Sequence, residues 1–324
     1  MMQFETPPYR PPSEAYSLLV RATRNCSWNR CGFCYGVHWN RNKLELRPVE
    51  DIKQDILAMK ALAAEIIQWA DKIGYWDRID QVAATNGVLW LTNDGVKTAF
   101  IGDSDSLIMK TPNLVEVLEF LYQTFPTLER VTSYARAKTV LRKTPEELKQ
   151  LHQAGLTRLH LGLETGDDEL LKFIDKGATA DEMIEAGKRV KEAGISLSEY
   201  VILGMGGEDR WREHAEGTAR VLNAINPDFI RVRTLIVFPG TPLYEAVERG
   251  EFKQLSSEDV LREEKLLLEL LEVNSEFVSD HVSNHLPING KLPGAKENMI
   301  KQIDAVLDVP FSLRGGIFQR EEDA

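Results

Sequence analysis

Cysteine is scarce. The chain of 324 residues holds three, Cys26, Cys31 and Cys34, all within nine consecutive positions. An odd, tightly clustered set excludes a disulfide framework, and it differs from the scattered buried thiols of an ordinary core. Long apolar runs are missing too: nowhere do about 18 uncharged apolar residues follow one another, so no transmembrane helix is expected. Met1 to Pro12 has a proline cluster and no apolar stretch of signal-peptide length, so the sequence reads as that of a soluble cytoplasmic protein. Basic residues are outnumbered, 39 against 50 acidic, for a net charge of −11. That field repels phosphate backbones and disfavours a nucleic-acid partner unless a local basic groove outweighs it. No repeat or low-complexity tract occurs.

What is present is a core-forming chain, 43% hydrophobic, long enough for one barrel-sized domain or two smaller ones. Ser17 to Thr23 reads as a short buried strand, and the cysteine segment follows it as a loop. Pro48 and Glu50 open a helical pattern to about Lys72, with Ile52, Ile56, Met59 and Leu62 near helical spacing. Tyr75 to Gly95 is irregular, punctuated by Asn86-Gly87 and Asp94-Gly95 turns. Strands and helices then alternate: strands at Lys97–Gly102, Arg130–Tyr134, Arg158–Glu164, Leu197–Leu203 and Phe229–Val237, and helices at Leu114–Phe125, Pro145–Ala154, Asp168–Ala193, about Arg210–Ala224 and from Pro242. Thr144-Pro145-Glu146-Glu147 is a capping box, and Gly155 and Gly194 stand where helices stop. Six strands separated by helices imply parallel pairing with right-handed crossovers, an α/β sheet curled toward a TIM-barrel-like form. In that architecture the active site lies at the carboxyl ends of the strands, where the cysteine loop stands. From Ser256 onward the pattern is helical and then irregular, and the Arg320 to Ala324 tail is expected to fray.

The cysteines are spaced C-x4-C-x2-C. Three thiolates this close can ligate three irons of a [4Fe-4S] cubane and leave the fourth open. A rival arrangement takes Cys26, Cys31, Cys34 and His38 as a Cys3His zinc site. The protein would then be a non-catalytic zinc or iron-sulfur protein with a structural or docking role.

With Phe33 before the last cysteine, the loop resembles that of the radical S-adenosylmethionine (SAM) superfamily. The commoner spacing there is C-x3-C-x2-C, and branches with a longer first gap exist. The resemblance covers roughly residues 15–245 and is nearest the branch of oxygen-independent coproporphyrinogen oxidase and elongator-type enzymes. It implies a partial (β/α)6 barrel over residues 1–245 and a C-terminal extension over 246–324 that closes it. It implies an oxygen-sensitive [4Fe-4S] cluster on Cys26, Cys31 and Cys34, SAM on the open iron, and a reducing partner such as a flavodoxin or ferredoxin. The activity implied is reductive cleavage of SAM to a 5′-deoxyadenosyl radical that abstracts hydrogen from a small-molecule substrate.

The family's SAM contacts carry over to Phe33; to Gly102, Asp103 and Ser104, where relatives have a glycine-rich edge; to Glu164 for the ribose; to Lys176 for the carboxylate; and to Tyr200 and Ile202 beside the adenine. The usual second glycine and glutamate are absent after Gly102. Tyr200 stands where relatives often have aspartate. Val237-Phe238-Pro239-Gly240-Thr241-Pro242-Leu243 matches the family after the sixth strand. With every cysteine committed to one cluster, a second cysteine-bound cluster, a methylcysteine relay and a cysteine thiyl radical are all excluded.

Period-two alternation places Leu159, Leu161 and Leu163 on one face and Arg158, His160, Gly162 and Glu164 on the other. On the sixth strand it separates Ile230, Val232, Thr234 and Ile236 from Arg231, Arg233, Leu235 and Val237. Two arginines thus face the cavity, with Arg136 just past the third strand, and such a cluster suits an anionic substrate. Asp280-His281 and Asn284-His285, in the closing segment, are further substrate candidates, as is His160.

Overall fold

The computed structural model describes residues 4–35 and 43–309. His38, the fourth ligand of the zinc arrangement, lies outside them, as does the Arg320 to Ala324 tail. The strands are β1 (Leu18–Arg21), β2 (Thr23–Arg24), β3 (Glu45–Leu46), β4 (Thr98–Gly102), β5 (Arg130–Ala135), β6 (Leu156–Glu164), β7 (Ser196–Leu203), β8 (Phe229–Thr234), β9 (Glu276–Ser279) and β10 (Ile288–Lys291). Eight of them form one sheet in the order β1-β4-β5-β6-β7-β8-β9-β10, while β2 and β3 pair separately as an antiparallel ribbon. Pairing is parallel at β1/β4, β4/β5, β7/β8 and β8/β9, and antiparallel at β9/β10. Strand order follows chain order with helices between, which is the α/β partial barrel expected from the alternation.

The described residues group into two compact units, one of 4–29, 43–160 and 189–196, the other of 30–35, 161–188 and 197–309. In the first, the Val49–Lys72 helix buries Ile52, Ile56, Met59, Ala63, Ile66 and Ala70, a stripe that steps by three and four residues. The stripe runs through Ala63 and not Leu62, because 3.6 residues per turn carries the face past position 62. This helix packs on the Thr111–Thr124 helix, which packs in turn on Pro145–Gln153. The capping box is formed: Glu147 N–H donates to Thr144 Oγ1 at 3.2 Å, and Thr144 N–H to Glu147 Oε2 at 2.9 Å. The segment read as irregular, 75–95, contains a helix, Ile79–Thr85, whose two buried residues Val82 and Ala83 are too few to show a period.

The second unit departs more from expectation. Asp168 to Ala193 is two helices, Asp168–Phe173 and Ala180–Glu192, because the chain turns through Asp175 and Gly177, both at positive φ. Strand β8 stops at Thr234, so the expected alternation fails beyond it and Ile236 is exposed. After Ser256 the expected helix is present, and the part expected to be irregular holds two strands and a further helix. The Ser257–Leu270 helix packs against the Gly207–Ile225 and Lys296–Leu307 helices, and β9 and β10 extend the sheet. These two strands have four residues each and one buried face, a length at which periodicity carries little signal.

Candidate functional site

In the first unit the carboxyl end of β4 holds the start of the cysteine loop. Asp103, nearly buried, accepts from the Asn25 N–H and from Arg21 Nη2, both at 3.1 Å, and its own N–H donates to Thr23 Oγ1 at 3.3 Å. Gly102 packs so closely that a Cβ there would stand 2.6 Å from the Pro7 Cβ. Ser104 is hydrogen-bonded to the Tyr9 hydroxyl, whose pKa is raised by burial first and by the Asp103 charge second. Asp105 has no exposed surface and accepts from Ser27 Oγ, from Thr139 Oγ1 at 2.7 Å and from the Arg136 N–H at 3.2 Å. Burial pushes its pKa up, and the Ser27 and Thr139 bonds oppose that. Cys26 is thus flanked by Asn25 and Ser27, each tied to an aspartate of one turn. In the sequence Asp105 closes the 101–105 segment likened to the family's glycine-rich edge without a role of its own; its contacts to Ser27, Thr139 and Arg136 appear only in the fold.

The Trp28 N–H points at Cys26 Sγ from 3.5 Å, and the Arg136 guanidinium lies over the Trp28 ring at 5.1 Å. His160 has no accessible surface: its Nε2 is 3.6 Å from Glu14 Oε1 and its ring sits edge-on to Tyr134. The structure places this imidazole among side chains and not at an open face.

In the second unit three consecutive residues gather the rest of the loop. The Ile174 carbonyl accepts from the Gly32 N–H at 2.7 Å, Asp175 pairs with Arg30 Nε at 2.8 Å, and Lys176 Nζ reaches Glu164 Oε1 at 2.6 Å. Gly32 also accepts from the Leu243 N–H at 3.0 Å, and Phe33 packs on Leu243, Ala246 and Phe252. The Cys34 N–H donates to the Cys31 carbonyl, closing a turn between these two thiols. Glu164 ends β6 in the left-handed region, φ 63°, a conformation that costs an L-residue about 1–2 kcal/mol and persists where the surroundings fix it. Its carboxylate folds back over Gly162, where a Cβ would meet Glu164 Oε1 at 2.0 Å and Lys176 Nζ at 2.9 Å. Nearby Glu199, fully buried, is pushed up to about 8 by desolvation and by the Glu164 charge, with Lys176 opposing.

The ladder between β7 and β8 pairs Tyr200 with Arg231 and Ile202 with Arg233. Ile230 and Val232 are buried on one face, and the arginines, half-buried, occupy the other. Arg231 Nε donates to Ser198 Oγ at 3.1 Å, and its guanidinium lies over the Phe229 ring. Arg233 stacks over the Tyr200 ring at 5.0 Å, with Nη1 3.2 Å from His281 Nε2. His281 is held below its ordinary pKa by burial first and Arg233 second, so the imidazole is the acceptor. His281 Nδ1 faces Ser283 Oγ at 2.7 Å, and His285 is half-buried in the same turn. Neither Arg231 nor Arg233 has a carboxylate partner among the described residues.

None of the three cysteines is in a disulfide and all are of intermediate exposure, the donor chemistry an iron-sulfur cluster requires. Among the described residues no three His, Cys, Asp or Glu side chains converge closely enough to chelate a single ion. A cubane spreads its thiolates over separate irons, so its ligands need not converge in that way. The residues present fit the cluster.

Residues 20–222 match the Radical SAM superfamily. The chain belongs to that superfamily. Radical SAM enzymes use a [4Fe-4S] cluster and SAM, and in general they need a reductant and a substrate. Membership decides between the enzyme and the non-catalytic zinc or iron-sulfur reading in favour of the enzyme. Among relatives of this radical SAM chain, the tRNA uridine(34) acetyltransferase of Methanocaldococcus jannaschii is 31% identical over 117 residues, 36% of this chain and 22% of the relative. The heme chaperone HemW of Bacillus subtilis is 24% identical over 219 residues, 67% of this chain and 51% of HemW. The chain therefore spans between about a fifth and about a half of these curated relatives' length. The solved structure of Elp3 from Methanocaldococcus infernus, with its N-terminus deleted, superposes with a TM-score of 0.51 at 17% identity, covering 77% of this chain and 58% of that one. That likeness shows the shared fold. No described helix is long and apolar enough to cross a membrane.

Proposed function

We propose that this radical SAM enzyme acts on a small anionic substrate bound by Arg231 and Arg233, with Cys26, Cys31 and Cys34 as the cluster ligands. When bound, the reduced cluster and SAM supply a 5′-deoxyadenosyl radical, the species that takes a hydrogen atom from the substrate. The chain's own residues prepare for this. Glu164, held in place by Lys176, offers its carboxylate oxygens to the ribose hydroxyls of SAM. Ile202 gives the adenine an apolar surface, and Phe33 braces the cysteine loop on Leu243, Ala246 and Phe252. Arg233 is kept rigid by the Tyr200 ring and by His281.

The observation that carries the reading is the pair of guanidinium groups on one face of β8, both half-buried and neither neutralised by a described carboxylate. Burying cationic groups without an opposite charge is costly, and an anion offsets that cost. The test is titration of the purified chain with inorganic phosphate and with succinate, followed by thermal denaturation. A saturable rise in Tm with either anion, lost in Arg231→Met and Arg233→Met, is expected. Identical anion responses in the variants, or no response in the parent, would remove the arginines from the substrate site. Thioether side chains keep the packing volume, so an effect on folding alone is distinguished by the Tm without anion.

A further inference from the structure

The Ser257–Leu270 helix buries two adjacent glutamates, Glu263 at 0% and Glu264 at 1% exposure, where a packing helix ordinarily places aliphatic side chains. A buried carboxyl persists where a polar partner needs it. The partner of Glu263 is specific: its Oε2 accepts the N–H of Gly204 at 2.6 Å. Gly204 follows β7 immediately, with φ 80°, two residues beyond Ile202. The other carboxyl oxygen, Oε1, faces His214 Nε2 at 3.9 Å. His214, also fully buried, hydrogen-bonds Thr165 Oγ1 through Nδ1 at 2.8 Å and interacts with the backbone of Ile202. Thr165 is the residue after Glu164, and its hydroxyl also accepts the Asp167 N–H, which fixes the turn out of β6.

Two hydrogen-bonded sets of buried polar groups, Glu263 with Gly204 and His214 with Thr165, face each other at 3.9 Å without a hydrogen bond between Glu263 Oε1 and His214 Nε2, and together they reach from the ends of β6 and β7 to a helix of the C-terminal region. We propose that Glu263 and His214 are positioning residues for SAM binding: they set the spacing between the Glu164 carboxylate at the end of β6 and the Ile202 surface at the end of β7. Neither side chain touches SAM in this assignment. The C-terminal helix is thereby part of the cofactor pocket's construction, and not only a cover for the sheet. The inference rests on Glu164 and Ile202 being the SAM contacts.

The experiment measures the Kd for SAM by equilibrium binding to anaerobically reconstituted Glu263→Leu, Glu263→Gln, His214→Leu and Glu164→Gln. Iron content and amide hydrogen exchange at Gly204 are recorded for each. In Glu263→Leu the Gly204 amide loses its acceptor, its exchange accelerates, and SAM binding weakens by about tenfold, the order a buried orphan donor implies. Glu263→Gln retains a carbonyl oxygen for the amide and restores affinity to within about twofold of the parent, which a role for the acid's proton would not allow. His214→Leu weakens SAM binding in the same direction with iron content unchanged. If Glu164→Gln weakens SAM binding and Glu263→Leu and His214→Leu do not, the positioning role is wrong. If Glu164→Gln has no effect, the reading of the pocket fails first. Should Glu263→Leu not fold, Glu263→Gln decides: affinity lost there, with the Gly204 amide still protected, overturns the proposal.

Discussion

Lys176 Nζ and Glu164 Oε1 stand 2.6 Å apart, both nearly buried, and the two preceding residues, Ile174 and Asp175, hold Gly32 and Arg30. The short segment between two helices thus ties the distal half of the cysteine loop and the end of β6 to a single stretch of backbone. The pair's geometry depends on an absence of side chain. At Gly162 a Cβ would lie 2.0 Å from the Glu164 oxygen and 2.9 Å from the lysine nitrogen.

Gly162→Ala is therefore expected to push the Glu164 carboxylate off Lys176 while leaving the cysteine loop's other anchors in place. The flexible Glu164 side chain can yield, so the fold survives. SAM affinity should fall by at least as much as in Glu164→Gln, where one charge-assisted hydrogen bond worth about 1.5–3 kcal/mol is lost. Equal SAM affinity in Gly162→Ala and the parent would show that Glu164 binds nothing in this orientation.

The fold was legible where period and punctuation agree. Leu159, Leu161 and Leu163 alternate with polar residues on β6, and Thr144 with Glu147 marks a helix start, so both elements could be read directly. The C-terminal strands could not, because Glu276–Ser279 and Ile288–Lys291 carry only four residues of pattern each and owe their place to pairing, β9 on β8 and β10 on β9. In the candidate site, the family resemblance picked out Glu164 and Lys176, which the structure pairs at 2.6 Å. Glu263, His214 and Asp105 were hidden because their roles arise from burial and from backbone donors they meet in space, and neither is written in a residue's neighbours along the chain.

Alanine at Cys26, Cys31 or Cys34 should each abolish the visible absorbance of the reconstituted cluster, together with all SAM cleavage. The parent should bind about four irons per chain, since one missing thiolate leaves an iron of the cubane without its ligand. Iron analysis and absorption spectra after anaerobic reconstitution decide this. One zinc per chain, retained with no iron, would replace the cluster assignment by the Cys3His arrangement.

Glu264 carries a pH dependence of opposite sign to that of an ordinary salt-bridged acid. Burial raises it to about 7, with a Ser279 hydrogen bond opposing. Between about pH 4.5 and pH 7 the unfolded chain has released this proton and the folded chain retains it, so rising pH favours unfolding. Glu264→Gln cannot ionise. Its Tm relative to the parent should therefore climb by a few degrees as pH is raised from 5 to 7, measured at matched cluster loading. A Tm difference that does not change with pH would mean Glu264 is ionised in the fold.

Arg233 and His281 form an unusual pair, a permanent cation donating to an imidazole 3.2 Å away. The contact is favourable only with the imidazole neutral, because a protonated Nε2 has no lone pair to offer and adds a second positive charge. Burial and the Arg233 charge, in that order, both act to keep it neutral, and Asp280 acts against them. In Arg233→Met the electrostatic part of that depression disappears while the burial part remains. The His281 pKa should move up toward the ordinary value near 6.5 without reaching it, as followed by the ring C–H resonance in an NMR titration of the cluster-free chain. Methionine keeps the apolar contact with the Tyr200 ring, so the ring environment of His281 changes mainly in charge. An unshifted titration would show that desolvation alone sets His281, and Arg233 would then be free to turn its full charge toward a ligand. An upward shift means instead that an anion binding to Arg233 relieves its push on His281, so anion binding and proton uptake at His281 are linked, each raising the affinity for the other.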